Sequence, residues 1–273
     1  MLGALLNGIP DDHLSLLDRG LHYGDGLFET IVVRDGGLEQ WQRHMARLSE
    51  GARRIRLPAP DGGLLLEEAE RLCGGQQQAI LKLILTRGCG GRGYRLPQPT
   101  EPSRLLTLWP WPDHPPQWRR DGVEVRWCQT RLGHSPALAG IKHLGRLEQV
   151  LARAEWDDVE IAEGLLRDPD GDVIEGTMSN LFLVRNGVLK TPLLDRCGVA
   201  GIQRALILDA AVSLGIPVQE ERLSVDQVLQ ADELFVSNRI IGLWPIRKLG
   251  EKSWMAPGPI TAALVSALEL VPR

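Results

Sequence analysis

The spacing of apolar residues over the first hundred positions predicts a sheet covered by helices. Residues 27–33 form a β-rich run, and the turn signal at 35–37 predicts a hairpin with its return strand at 38–41. Apolar residues then recur every three or four positions from Met45 to Ile55, which is the period of an amphipathic helix. We expect a second helix at 64–73 and apolar strands at 79–86 and 105–109.

A cluster of prolines at positions 110, 112, 115 and 116 interrupts this pattern. Proline resists both a helix interior and a central strand, because it lacks the backbone N–H. We therefore place a linker at 111–121, between an N-terminal α/β domain at 1–110 and a C-terminal domain at 122–273.

The second half of the chain mixes hairpins with helices. Polar and apolar residues alternate from Val123 to Cys128, and a helical stripe is expected to begin at Lys142. A turn at 169–172 predicts a hairpin with arms at 164–167 and 173–184. Further elements are a helix at 201–214, strands at 217–223, 233–236 and 243–248, and a terminal helix from Pro259. Without strict strand and helix alternation, this pattern favours an α+β (mixed α/β) fold of two domains.

Composition narrows the possible functions. The 273 residues carry a net charge of −4, and their basic residues are scattered, which argues against nucleic-acid binding. The sequence has no apolar run of membrane-spanning length and no signal-peptide pattern at its start, so we expect a cytoplasmic protein. The four cysteines are far apart and form no CxxC pair, which predicts buried free thiols and no metal site.

Only five lysines are present among the 31 basic residues, and one has an unusual setting. Lys142 follows the small, apolar segment 138–141, and desolvation makes a lysine amine a better nucleophile. The alternative is a helix-start lysine with a solvated amine. Lys82 interrupts an apolar strand, and the others lie beside turns or at a strand end.

Three further signals are weak when taken singly. Residues 198–204 form a glycine-flanked helix start, a common phosphate site but also a common turn. Glu175 lies at a strand edge, where most carboxylates are simply solvated. Arg47 lies on the first long helix, where an ion-paired arginine is the ordinary finding.

Together these residues fall in motifs that resemble a known family. Residues 18–30, DRGLHYGDGLFET, and 44–48, HMARL, are similar to the opening of the fold-type IV pyridoxal-phosphate enzymes, which include branched-chain and D-amino-acid aminotransferases. Within that superfamily, 87–94 and 138–151 resemble the 4-amino-4-deoxychorismate lyases. The resemblance spans most of the chain and implies the two-domain fold of the D-amino-acid aminotransferases, pyridoxal 5'-phosphate bound by the C-terminal domain, and a homodimer.

The resemblance also assigns residues to the cofactor. Lys142 falls at the lysine that bonds to the cofactor and moves protons, and Glu175 at the acid that pairs with the pyridine nitrogen. Arg47 falls at the phosphate arginine. The rest of the phosphate site is assigned to backbone amides at Gly201, Ile202 and Gln203 and to the turn at Ser237 and Asn238.

Two of the three substrate positions that the resemblance assigns favour a lyase. Phe28 and Tyr94 stand where D-amino-acid aminotransferases carry a tyrosine and a histidine, while Arg92 is kept as a carboxylate anchor. Thr30 is expected to help protonate the departing oxygen or to orient Lys142.

The resemblance thus implies conversion of 4-amino-4-deoxychorismate to 4-aminobenzoate and pyruvate, a step of folate synthesis. The alternatives are a D-amino-acid or branched-chain aminotransferase of the same fold and a non-catalytic phosphate- or cofactor-binding protein.

Overall fold

A computed structural model describes residues 1–59 and 61–269, which divide into two compact units. The first contains residues 1–113 together with 141–145, and the second contains 114–140 and the described residues after 145.

The first unit is an antiparallel sheet with helices on one face. Its elements are β1 (Gly3–Leu6), α1 (Arg19–Tyr23), β2 (Gly26–Arg34), β3 (Gly37–Leu38), α2 (Trp41–Arg54), α3 (Gly62–Cys73), β4 (Gln78–Thr86) and β5 (Ser103–Pro110). The strand order is β1-β5-β4-β2-β3. Alternate residues of β2 and β4, among them Leu27, Ile31, Leu81 and Leu83, are fully buried, as expected for a sheet face covered by α2 and α3.

The second unit is built on a larger sheet. Its elements are α4 (Pro116–Asp121), β6 (Val123–Arg131), α5 (Leu147–Arg153), β7 (Ile161–Arg167), β8 (Val173–Gly176), β9 (Asn180–Arg185), β10 (Val188–Pro192), α6 (Ile202–Ser213), β11 (Val218–Glu221), α7 (Val225–Leu229), β12 (Glu233–Asn238), β13 (Gly242–Leu249), β14 (Lys252–Ser253) and α8 (Pro259–Glu269).

Six of these strands close into a ring. The order is β11-β10-β9-β12-β13-β6-β7-β8, and β8 also pairs with β9. Buried side chains such as Val125, Leu165 and Val236 form one core of this sheet. On its other face, the stacked rings of Phe182 and Phe235 pack with α6 and α8. The pairing of β8 with β9, which closes the ring, lies next to the turn that joins these two strands.

Several predicted elements were wrong in their bounds. The return strand expected at 38–41 is only Gly37–Leu38, because Trp41 already begins α2. The arm expected at 173–184 is broken into β8 and β9 by a turn at 177–179. Part of the predicted linker is helical, since Pro116 occupies the first turn of α4, where its missing N–H costs nothing.

The helix expected to begin at Lys142 begins only at Leu147. Residues 141–145 instead run beside β2, where the Phe28 N–H donates to the Lys142 carbonyl at 2.9 Å and the Leu144 N–H donates to Gly26 at 3.0 Å. These pairings occupy backbone groups that a helix would need. The apolar spacing was real, but sheet hydrogen bonds decided the local structure.

The cysteine prediction was wrong for one residue. Cys73, Cys128 and Cys197 are buried free thiols, whereas Cys89 is exposed on the loop after β4. Burial raises the pKa of Cys73 to about 11 and that of Cys128 to about 12, so these two stay protonated at neutral pH. None of the described helices is long and apolar enough to cross a membrane.

An ion-pair cluster around Asp25 holds the loop that follows β4. Arg19 and Arg87, both buried, donate to the same Asp25 oxygen at 2.9 and 2.8 Å. Arg87 also donates to the carbonyls of Ile55 and Arg56, and Arg19 to that of Gly93. Burial opposes ionisation of Asp25, but the two arginines outweigh it and hold the pKa of that carboxyl below its usual value.

We expect Asp25→Asn to lower the free energy of unfolding by about 1–3 kcal/mol at pH 7, because two buried guanidinium groups lose a charged acceptor. A depressed pKa stabilises the fold above the unfolded-state pKa of about 3.9, and this stabilisation is lost as pH falls through the lower folded value. The difference between wild type and variant should therefore shrink on acidification below about pH 4 in urea titrations.

Asp121→Asn is the matched control. Asp121 pairs with Arg120 on the surface, where both side chains are exposed, so its loss should change stability little. Equal effects of the two substitutions, or a pH-independent effect of Asp25→Asn, would contradict the assignment.

Candidate active site

Lys142 lies on a segment that is anchored to β2 on both sides. Its carbonyl and the Leu144 N–H pair with β2, and Leu27 bridges to His143 in the same antiparallel manner. Ile141, which precedes Lys142, is buried beside Gly51 of α2. A side chain larger than glycine at position 51 would come too close to Leu27. The backbone under Lys142 is therefore fixed by hydrogen bonds and by packing.

The Lys142 side chain lies over the ring of Phe28. Its Nζ is 4.3 Å from the ring centroid, and the Nζ of Lys82 is 5.4 Å from the same centroid. Thr30 stands two residues beyond Phe28 on β2 and directly opposite Lys82 on β4, so these side chains share one half-buried face of the sheet. This face carries two amines and one hydroxyl around an aromatic ring.

Arg47 lies on α2 and is held by a buried carboxylate on the opposite face of β2. Its Nε donates to Glu29 at 2.8 Å and its Nη2 donates to the second Glu29 oxygen, which also pairs with His44 at 2.6 Å. Burial opposes the charge of Glu29, but His44 and Arg47 outweigh it and hold the pKa of that carboxyl below its usual value. Glu29 thus fixes the arginine that the resemblance assigns to phosphate.

Arg92 and Tyr94 lie on the exposed loop after β4. The loop is tied to α1, because the Tyr23 hydroxyl accepts from the Gly93 N–H at 3.0 Å and the Tyr23 and Tyr94 rings lie 5.4 Å apart. Within the described part of the chain, Arg92 makes no hydrogen bond or ion pair. Tyr94 is 85% exposed, and the structure does not bring it into contact with Lys142 or Phe28.

In the second unit, Glu175 is the next-to-last residue of β8 and lies directly opposite Asn180, which begins β9. Both residues bind the backbone of Val199: Glu175 accepts from its N–H at 2.9 Å, and the Asn180 amide donates to its carbonyl at 2.8 Å. Burial lowers the pKa of the Arg146 guanidinium. The charge of the buried Glu175 carboxylate acts in the opposite direction and raises that pKa. The turn between the strands is thereby joined to the segment before α6.

The start of α6 reaches the same place. Gly201 is its N-cap and supplies no side-chain cap, so the first amides of the helix, at Ile202 and Gln203, have no intrahelical acceptor. A Cβ at Gly201 would lie only 2.1 Å from the Asn180 Oδ1, so only glycine fits. Opposite Asn180 on the neighbouring strand stands Ser237, whose hydroxyl is fully buried and has no hydrogen-bond partner among the described residues.

These features suit an anion. Unsatisfied amides at the start of a twelve-residue helix and an unpaired buried hydroxyl are donors without acceptors, which a phosphate group supplies. Asn238 lies at the edge of the cluster, where its amide donates to the Met178 carbonyl at 3.0 Å. The residues present therefore fit pyridoxal phosphate, with Glu175 beside them as a carboxylate for its ring nitrogen.

Some positioning residues escaped the sequence reasoning. Asn180 lies in the predicted arm 173–184 and Val199 in the glycine-flanked segment 198–204, but neither was assigned a role. Glu29 and His44 lie in the motifs 18–30 and 44–48, again without a role. No local pattern marks a residue that acts through backbone hydrogen bonds. One signal was available for Glu29: the period-two alternation of β2 places this charged residue on the apolar face of the strand.

Comparison with known proteins finds relatives of the same enzyme family as the sequence motifs indicate. The family described as Amino-transferase class IV matches residues 26–249. The chain is 39% identical over 241 residues to an aminodeoxychorismate lyase of Vibrio harveyi, covering 88% of this chain and 89% of that protein. It is 32% identical to a putative branched-chain-amino-acid aminotransferase of Methanocaldococcus jannaschii, covering 86% and 82%.

A solved structure has the same overall architecture. The 4-amino-4-deoxychorismate lyase of Pseudomonas aeruginosa is 45% identical and superposes with a TM-score of 0.94, covering 97% of this chain and 98% of that one. This similarity confirms the predicted mixed α and β fold of the fold-type IV enzymes.

We expect Ser237→Ala to weaken binding of pyridoxal phosphate by about 10- to 150-fold, because a hydrogen bond to a charged group is worth about 1.5–3 kcal/mol. The melting temperature of the cofactor-free protein should not fall, since the variant removes a buried hydroxyl that has no partner. Absorbance titration and thermal unfolding measure the two effects.

Thr261→Val is the control, because the Thr261 hydroxyl is also fully buried and also without a hydrogen-bond partner among the described residues. It should leave cofactor affinity unchanged. If Ser237→Ala bound pyridoxal phosphate as tightly as Thr261→Val does, Ser237 would not belong to the phosphate site.

Proposed function

Because the chain belongs to the Amino-transferase class IV family, we propose that it is a pyridoxal-phosphate-dependent lyase that converts 4-amino-4-deoxychorismate to 4-aminobenzoate and pyruvate. The product makes it an enzyme of folate synthesis. The observation that carries this proposal is the similarity to two lyases of that name, at 39% and 45% identity over nearly the whole chain. The aminotransferase relative named above is less similar, at 32%.

The cofactor is pyridoxal phosphate, which when bound draws electrons from the substrate carbon next to nitrogen. We assign its phosphate to Arg47, to the amides of Gly201, Ile202 and Gln203, and to Ser237 and Asn238. Glu175 keeps the pyridine nitrogen protonated, since a buried carboxylate favours a positive charge beside it.

Lys142 carries the proton chemistry. Its amine is the group that would hold the cofactor aldehyde, and as a free amine it would take the proton from the substrate ring carbon that bears the 4-amino nitrogen. The bond between the ring and the enolpyruvyl oxygen then breaks as the ring becomes aromatic. Thr30 shares the sheet face of Phe28 and serves to orient Lys142 or to protonate the departing oxygen.

Phe28 and the loop after β4 are assigned to the substrate. The Phe28 ring offers an apolar surface under Lys142, where a tyrosine hydroxyl would offer a hydrogen bond to a carboxylate. Arg92 has its guanidinium in solvent on a loop fixed by Arg19 and Tyr23, which suits capture of a substrate carboxylate. Tyr94 lies on the same loop and is assigned to the aromatic part of the substrate.

We also assign the active form to a homodimer. The short helix α5 exposes Leu147, Val150 and Leu151, three large apolar side chains on one helix that a second subunit would cover. The cytoplasmic location expected from the sequence stays a prediction.

We expect purified protein loaded with cofactor to release many equivalents of 4-aminobenzoate per active site, with an equal amount of pyruvate, when no 2-oxo acid is added. A lyase needs no second substrate, because its amine product leaves with the nitrogen that the substrate brought. Fluorescence of 4-aminobenzoate and a coupled pyruvate assay give the stoichiometry.

An aminotransferase of the same fold would stop after one equivalent, since the nitrogen stays on the enzyme until a 2-oxo acid removes it. Added 2-oxoglutarate is therefore the control. A single burst that resumes only on its addition would contradict the lyase and favour the aminotransferase.

A further inference from the structure

A buried glutamate outside the residues assigned above organises the turn between β8 and β9. Glu163 lies on β7, and only 1% of its surface is exposed. Its first carboxyl oxygen accepts from the N–H groups of Gly164 and Thr177 at 2.9 and 3.0 Å and from the Thr177 hydroxyl at 2.5 Å. Its second oxygen accepts from the Met178 N–H at 3.2 Å and the Ser179 hydroxyl at 2.7 Å.

All five of these donors are neutral, and four of them belong to the three residues of the turn, 177–179. A carboxylate only accepts hydrogen bonds, and its two oxygens together have about four lone-pair sites, so the turn saturates them. Gly176, at the start of the turn, has no room for a side chain, because a Cβ there would lie 2.4 Å from the Ser179 hydroxyl and 2.7 Å from Glu163. The turn is thus folded around this one carboxylate.

The position of this turn determines the positions of residues that are proposed to hold the cofactor. Glu175 precedes the turn by one intervening residue, Gly176, and Asn180 directly follows it; the two are paired with each other. Both bind Val199, two residues before Gly201, the N-cap of α6. The Met178 carbonyl, inside the turn, accepts from the Asn238 amide. A shift of the turn would therefore move the carboxylate of Glu175 and the helix start together.

We propose that Glu163 is a positioning residue that sets the Glu175 carboxylate toward the pyridine nitrogen through the 177–179 turn. The inference rests on the proposed function, since it deepens the role of Glu175. A merely structural role would stabilise the fold without changing the protonation of that nitrogen.

The test measures the nitrogen itself. Protein loaded with pyridoxal phosphate that carries ¹⁵N in its ring is compared by NMR as wild type, Glu163→Gln, Glu175→Gln and the double variant. Glutamine keeps the size of Glu163 but turns an NH₂ donor toward the turn, so Glu163→Gln should move the ¹⁵N signal in the same direction as Glu175→Gln. In the double variant, Glu163→Gln should add little to the shift caused by Glu175→Gln, because Glu163 is proposed to act through Glu175.

Turnover gives a second readout. We expect Glu163→Gln to lower kcat about 10-fold, with a smaller change in KM, because a mispaired buried carboxamide costs about as much as one lost hydrogen bond. Thr177→Val removes a single donor and is the variant to use if Glu163→Gln does not fold. It should shift the ¹⁵N signal in the same direction by a smaller amount.

Glu233→Gln is the matched control. Glu233 is a buried glutamate of the same unit that accepts from the N–H groups of Ile260 and Thr261 at the start of α8. It should lower the melting temperature and leave the ¹⁵N signal in place.

Two failures are distinguishable. If Glu175→Gln moves the signal while Glu163→Gln and Thr177→Val behave like Glu233→Gln, the positioning role is wrong and the proposed function stands. If the wild-type protein binds no pyridoxal phosphate, the proposed function itself fails and Glu163 has no such role.

Discussion

Backbone hydrogen bonds between β2 and residues 141–145 are the constraint on which the chemistry proposed for Lys142 depends. They hold the Lys142 carbonyl against the Phe28 N–H, so the side chains of these two residues meet and the amine lies 4.3 Å from the ring centroid. An amine on a mobile loop would reach the cofactor aldehyde only part of the time. A lysine on a segment paired with a sheet is placed before the reaction begins.

In the second unit, too, hydrogen bonds to the backbone fix the position of the segments around the site, and the acceptors are buried carboxylates. Glu163 accepts from the 177–179 turn, and Glu175 accepts from Val199 ahead of α6. Each fixes a loop whose own amides and carbonyls would otherwise need water. Glu29 is the counterpart in the first unit, where it fixes Arg47. Within its own unit, each of these three buried acids holds side chains or backbone groups that the proposal assigns to the cofactor.

The strands and long helices could be predicted because their apolar spacing matches the buried faces, as in β2, β4 and α2. The region around Lys142 could not, since its apolar spacing also fits a helix and only the distant partner β2 decides otherwise. The proposed site residues came from motif resemblance, because Glu175 and Arg47 each have an ordinary explanation when taken alone. Glu163 gave no signal. Apart from the N–H of the next residue, its donors are backbone N–H groups 14 and 15 positions away and two hydroxyls that any surface turn could carry.

Reduction of the cofactor-loaded protein with borohydride, followed by peptide mass spectrometry, tests the central claim most directly. Lys82 provides an internal comparison, because its amine also lies near the Phe28 ring, at 5.4 Å. The account predicts the reduced pyridoxyl group on Lys142 alone, and no stable attachment in Lys142→Ala. Attachment to Lys82, or equal labelling of both lysines, would contradict it.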